Sequence, residues 1–279
     1  MVFLWVILLS GCLGVTVLAQ QEQQPASSRI GEYLDIPNLR SKVLGNARNI
    51  TVLLPPSYRT KPTQRFPVLY AHDGQNLFDV RTAFGHREWE LDETTRRMNR
   101  EGTLPEIIIV GVWNTPKRMR EYTPGVGGDR YLRFLVEELK PLIDSRLRTM
   151  PEAKHTAIIG SSMGGLISTW AALRHPDVFG QSASLSAAFQ FMGEAIINEL
   201  KTQKKPVGRH YFDIGTEEVQ DRPERYVKYM SQMETILEDT GYRWGRDYVT
   251  YVEVGGQHNE PMWAKRVWRP LSFLFSQER

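Results

Sequence analysis

The chain has 279 residues, 41% hydrophobic and 24% charged, with a formal net charge of +3. That length suits one large domain or two small ones. So small a positive excess, with no basic run and no aromatic-interleaved patch, argues against nucleic acid as a partner.

The N-terminus is apolar from Val2 to Ala19 and then turns polar at Gln20-Gln21-Glu22-Gln23-Gln24-Pro25. The small residue Ala19 closes a segment that reads as a cleaved secretory signal over 1–19, although no Lys or Arg precedes its apolar core. The expected location is secreted or periplasmic. Leu9-Ser10-Gly11-Cys12 resembles a bacterial lipobox, so lipid anchoring through Cys12 is the alternative, and an uncleaved anchor is a third reading. A membrane is a partner only in those two cases. Cys12 is the single cysteine, which excludes a disulfide framework and a thiolate metal site. Residues 20–35 read as a flexible leader and 36–279 as one domain.

Beyond the leader, short apolar runs alternate with amphipathic stretches. Strands are expected at Ile50–Leu54, Phe66–Ala71, Ile107–Val112, Thr156–Ile159, Gln181–Ser186, Arg209–Ile214 and Tyr248–Val254. Asn49-Ile50-Thr51 matches the glycosylation pattern, overlaps the first of these strands and is read as a chance match. Helices are expected at Glu88–Asn99, Tyr131–Leu147, Leu166–Leu173, Phe191–Lys201, Glu224–Glu238 and Glu260–Phe275. Strand alternating with helix predicts an α/β fold, a mostly parallel central sheet with helices on both faces. No internal repeat and no composition break divides it.

Gly160-Ser161-Ser162-Met163-Gly164-Gly165 lies between an expected strand and an expected helix. Strand, G-x-S-x-G, helix is the pattern of a nucleophile elbow, in which a serine sits on a sharp, strained turn. A hydroxyl is a weak nucleophile at neutral pH and needs a base, and a carboxylate must hold that base in the correct tautomer. In a parallel sheet such groups gather beyond the carboxyl ends of the strands. Gly255-Gly256-Gln257-His258 follows the last strand, which makes His258 the candidate base. Gly215-Thr216-Glu217-Glu218 follows the strand before it. Glu218 is the preferred acid, with Glu217, Asp213 and Asp221 as competitors. The order serine, acid, histidine is the one this architecture uses.

An oxyanion hole would combine the amide of Met163 with one from the loop His72-Asp73-Gly74-Gln75-Asn76-Leu77-Phe78-Asp79. There Gly74 is expected to turn the backbone so that the Gln75 amide points inward. His72, Asp73 and Asp79 suggest a metal site less well than loop-bracing hydrogen bonds. No metal and no cofactor is expected.

Tyr70-Ala71-His72-Asp73-Gly74-Gln75-Asn76-Leu77-Phe78-Asp79, the Gly160–Gly165 segment and Gly256-Gln257-His258-Asn259-Glu260 together resemble the esterase D family of α/β hydrolases. Its members include enterochelin-type siderophore esterases, feruloyl esterases and mycolyltransferases. The likeness covers roughly residues 40 to 277. Glu121-Tyr122-Thr123-Pro124 and Gly127-Gly128-Asp129-Arg130-Tyr131 are similar to the enterochelin-esterase-like branch. The resemblance implies an α/β-hydrolase fold, the roles above for Ser162, His258, Gln75 and Met163, and an acid at the position of Glu218. The expected function is a serine carboxylic-ester hydrolase acting through an acyl-enzyme on a small or medium ester. An acyltransferase and a silent binding scaffold are the alternatives. For substrate, Lys117, Arg118, Arg120 and Arg130 could meet an anionic group, and Trp113, Tyr122 and Trp263 could wall a pocket. Arg120, Arg130 and Trp113 are the contacts selected.

Overall fold

The computed structural model describes residues 25–189, 193–202, 208–218 and 223–275. The signal segment, Cys12 and Asp221 lie outside them. Eight strands form one sheet: β1 Glu32–Ser41, β2 Asn46–Leu54, β3 Val68–His72, β4 Ile108–Val112, β5 Thr156–Ser161, β6 Gln181–Leu185, β7 Arg209–Glu217 and β8 Tyr248–Gln257. Their order is β1-β2-β4-β3-β5-β6-β7-β8. The pairs β1–β2 and β2–β4 are antiparallel and the other five are parallel. This is the α/β-hydrolase architecture that the resemblance implies.

Every residue of β3, β4, β5 and β6 is buried, as parallel strands covered on both faces must be. Alternate side chains serve opposite layers. Val68 and Tyr70 join Val110 and Ile158 in one core, against Tyr131, Leu135, Leu166 and Trp170. Leu69 and Ala71 join Ile109 and Ile159 in the other, against Leu91, Met98, Leu271 and Leu274. The small residues of β6 have a cause. Ser184 Oγ donates to the Gly165 carbonyl at 2.7 Å and meets Thr169 Oγ1 at 2.7 Å, so a helix backbone lies directly on this strand.

The helices are α1 Leu91–Arg100, α2 Arg118–Glu121, α3 Val126–Arg133, α4 Lys140–Arg146, α5 Met163–Arg174, α6 Gly193–Thr202, α7 Pro223–Asp239, α8 Glu260–Arg266 and α9 Trp268–Phe275. Two expected helices differ in form. The stretch 131–147 begins earlier and passes through a π-helical turn, Phe134–Leu139, where Lys140 N donates to Leu135 O. Pro141 has no N–H to give to Glu137, and the wider turn accommodates that loss. The closing helix breaks into α8 and α9 at Val267. Pro270 cannot donate back to Arg266.

The flexible leader expected over 20–35 is corrected within the described residues. Ser27 Oγ donates to Asp79 at 2.9 Å, Ile30 N donates to Asp92 at 2.8 Å, and β1 starts at Glu32. Pro37 interrupts the run and hides this strand in the sequence. The pairing of β1 with β2 does shift register between Ile36 and Leu39, with Asn38 at φ 50°. Proline and bulge together blunt this outer edge. Among the described residues no helix is long and apolar enough to cross a membrane.

Candidate active site

β5 runs into α5 through Ser162, whose backbone sits at φ 55°, ψ −125°. A side-chain-bearing residue held there costs about 1–3 kcal/mol, which the surroundings must offset. Two hydrogen bonds hold the turn: Ser162 N donates to Leu185 O at 2.9 Å and Ala188 N donates to Ser162 O at 3.1 Å. Strand and helix approach so closely that a Cβ on Gly160 would lie 2.5 Å from the Gly164 carbonyl carbon. Glycine is therefore required on steric grounds. Ser162 is half-buried. Met163, the first residue of α5, has an amide with no acceptor inside the helix.

His258 and Glu218 arrive from the ends of β8 and β7. These ends pack so tightly that a Cβ on Gly215 would collide with the Gly256 carbonyl. His258 Nδ1 lies 2.6 Å from Glu218 Oε2. Oε1 of the same carboxylate accepts from Ser186 Oγ and from Gly215 N, both at 2.6 Å. Burial alone would push the Glu218 carboxyl up. The bonds from His258, Ser186 and Gly215 override it and hold the group below its ordinary value. The His258 ring also stands edge-on to Trp263, with centroids 5.1 Å apart.

The competing acids are placed differently. Glu217 is exposed and its carboxylate meets the Gln257 amide at 3.4 Å. Asp213 is fully buried and accepts from Arg266 Nε and Nη2, both at 3.0 Å, and from Tyr211 OH at 3.0 Å. Arg266 also donates to Ser186 Oγ at 2.6 Å, and Trp263 Nε1 donates to that oxygen at 2.9 Å. Ser186 and Arg266 carry no distinguishing mark in the sequence: Lys265 and Arg269 lie on the same closing segment, and only burial, which requires a carboxylate partner for a guanidinium, sets Arg266 apart.

The loop after β3 makes a short turn, Gly74–Asn76, closed by Asn76 N donating to Asp73 O at 2.8 Å. The left-handed residue of the turn is Asp73, at φ 56°, and Gly74 beside it packs so closely that a Cβ would lie 2.5 Å from the Gly111 carbonyl carbon. The Asp73 carboxylate accepts from Arg118 Nε and Nη2 at 2.8 and 2.7 Å and from Asn114 Nδ2 at 2.6 Å, which stabilises the bend. Gln75 Oε1 accepts from Asn114 N at 3.2 Å, so its side chain points along the loop. Asp79 is taken by Arg81 and Ser27. His72 Nδ1 lies 3.0 Å from Tyr131 OH, and burial lowers its pKa to about 3, so this imidazole is neutral. These three side chains brace the loop. Among the described residues no group of three or more His, Cys, Asp or Glu is arranged to hold a metal ion.

A cleft of about 440 Å³ opens over Ser162 and His258. Gln75 and Asn114 border it, Phe84, Trp89 and Trp263 supply aromatic wall, and Asp73, Arg118 and Glu260 supply charge. The selected substrate contacts are corrected here, because none of the three lines the cleft. Arg120 is exposed, with its carbonyl packed against Gly127. Arg130 Nη2 donates to the Val43 carbonyl at 2.5 Å. Trp113 Nε1 donates to Thr51 Oγ1 at 3.1 Å. Tyr122 is buried beneath the loop, its hydroxyl 3.4 Å from Asp73 N. Of the residues considered, Arg118 and Trp263 reach the cleft.

Comparison with known proteins follows the same lines. The Bacillus subtilis (strain 168) protein YbbA, itself described as uncharacterized, is 28% identical over 248 residues, 83% of this chain and 94% of that protein. A solved ferulic acid esterase superposes with a TM-score of 0.70 at 20% identity, covering 88% of this chain and 98% of the other. The enterochelin esterase of Shigella flexneri superposes with a TM-score of 0.69 at 18% identity, over 89% of this chain and 60% of the other. Residues 41–273 match the family model described as "Putative esterase", and the chain belongs to that family of carboxylic-ester hydrolases.

Proposed function

We propose that the chain hydrolyses carboxylic esters through a Ser162–His258–Glu218 triad and an acyl-enzyme. The observation that carries this reading is the strained Ser162 elbow opening into the same cleft as a histidine bonded at 2.6 Å to a buried carboxylate. Ser162 Oγ attacks the ester carbonyl and His258 takes its proton. Glu218 fixes the imidazole and stabilises its charged form. The amides of Met163 and Gln75 receive the developing oxyanion. Neither donates to an acceptor within its own helical turn. His258 then returns the proton to the departing alcohol, and water resolves the acyl-enzyme by the reverse sequence. The esterase names carried by the structural neighbours, ferulic acid esterase and enterochelin esterase, support ester cleavage.

The purified chain should release acid from p-nitrophenyl, feruloyl, acetyl-sugar and catecholate-siderophore esters, with at least one turned over well above the uncatalysed rate. Added alcohols and sugars test the last step. Ester exchange outrunning hydrolysis would make the protein an acyltransferase, and no turnover of any ester would leave it a binding scaffold.

A further inference from the structure

Arg118, Arg120 and Arg130 lie within thirteen positions of one another, yet among the described residues Arg118 alone brings a guanidinium to the cleft. It is already spent: Arg118 makes a paired contact with Asp73, whose side chain is one-tenth exposed. The remaining charged groups of the lining are Glu260 and the candidate base His258. Apart from His258, the lining sets two carboxylates, Asp73 and Glu260, against one guanidinium. Behind His258 stands Glu218, a further carboxylate, fully buried at its side chain.

Glu260 is placed where it would be felt. It is the first residue of α8, directly after the Asn259 cap whose side chain accepts from Met262 N, so the helix fixes its position beside His258. Its Oε1 is 3.4 Å from Asn76 Nδ2 across the cleft. Burial first, and then the negative Asp73, raise the Glu260 carboxyl above its ordinary value, outweighing the hydrogen bond from its own backbone amide, His258 and Arg118. The contribution from Asp73 is that of a second negative charge nearby.

We infer that this cleft selects against esters carrying a carboxylate or other anion near the scissile bond, and takes uncharged or cationic ones, with Glu260 as the discriminating residue. The inference rests on the ester-hydrolase reading. A substrate anion entering here meets Glu260 at short range in a partly desolvated space, while Asp73 and Arg118, the other charged pair of the lining, largely cancel each other. Specificity then comes from repulsion built into the site as much as from attraction.

The test compares methyl 4-acetoxybenzoate with the 4-acetoxybenzoate anion, each kcat/KM divided by the rate of alkaline hydrolysis of the same ester. The native chain should favour the uncharged ester by about tenfold or more at low salt, and the ratio should shrink as ionic strength rises. Glu260→Gln should narrow the ratio several-fold and Glu260→Lys should reverse it. Equal turnover of the two esters by the native chain, or a ratio that neither substitution nor salt moves, would overturn the inference while leaving the hydrolase reading intact. Failure to turn over even the uncharged ester would overturn that reading, and the inference with it.

Discussion

The elbow around Ser162 and the corner around Glu218 solve opposite problems at the same end of the sheet. The elbow is an arrangement of backbone: strand β5 and helix α5 cross so closely that side chains are excluded at Gly160, and the serine holds a conformation of positive φ. The acid corner is an arrangement of buried charge. Glu218, Ser186, Arg266 and Asp213 exchange hydrogen bonds in a space that admits almost no solvent. Steric constraint tolerates few residue types and leaves a short motif behind. A polar network can be met by several carboxylates on neighbouring positions, and its members come from β7, from α8 and from the residues just past the ends of β6 and β7.

Substitutions in the acid corner probe that contrast most strongly. Glu218→Gln keeps the shape but removes the charge that orients His258, and kcat should fall on the order of 10³-fold with KM little changed. Glu217→Gln should stay within about twofold of the native rate, because that side chain faces solvent. Steady-state kinetics on one activated ester checks both, and the reverse result would exchange the two residues.

Arg266→Met comes next. It leaves Asp213 buried without its cation, which should cost about 3–5 kcal/mol of stability. It also removes one of the donors that fix Ser186 beneath Glu218. Adding Asp213→Asn should restore part of the stability, since the unpaired charge is then gone. Denaturant unfolding of the single and double variants measures this. Arg266→Lys should recover more of kcat than of stability if the arginine acts by positioning Ser186.

The smallest effect lies outside both regions, at the start of α1. Burial, and then the neighbouring Asp92, hold the Glu93 carboxyl well above the usual range. Between the ordinary carboxylate pKa and that raised value the folded chain holds a proton the unfolded chain has lost. Stability therefore falls as pH rises through the window. Glu93→Gln should stabilise by at most about 1 kcal/mol at pH 8, roughly 2–4 °C in Tm, and by nothing at pH 4. Thermal melts at the two pH values check the sign.

The sheet was legible wherever strands were buried on both faces, because Ile107–Val112 or Thr156–Ile159 admits little other reading. The edge strand β1 was not, since Pro37 and the bulge that protect an edge also erase its alternation. The elbow and the histidine were legible from spacing. Glu218 was preferred from its place after the strand before β8, and the resemblance implied the same position, but its contacts with Ser186 and, beyond it, Arg266 needed the fold. Arg120 and Arg130 misled, and Arg118 reached the cleft already paired, because sequence shows a charge and not its partner. Asp73 and the Val43 carbonyl, which occupy Arg118 and Arg130, lie dozens of residues away.

The central claim is that Ser162 carries the acyl group. Intact-mass and peptide analysis of the chain quenched during turnover of a slowly deacylated aryl ester tests it directly. One acyl mass is expected on the peptide containing Ser162, and its loss together with at least about 10³-fold of the turnover in Ser162→Ala. An adduct on another residue, or a Ser162→Ala chain that turns over ester at the native rate, would contradict it.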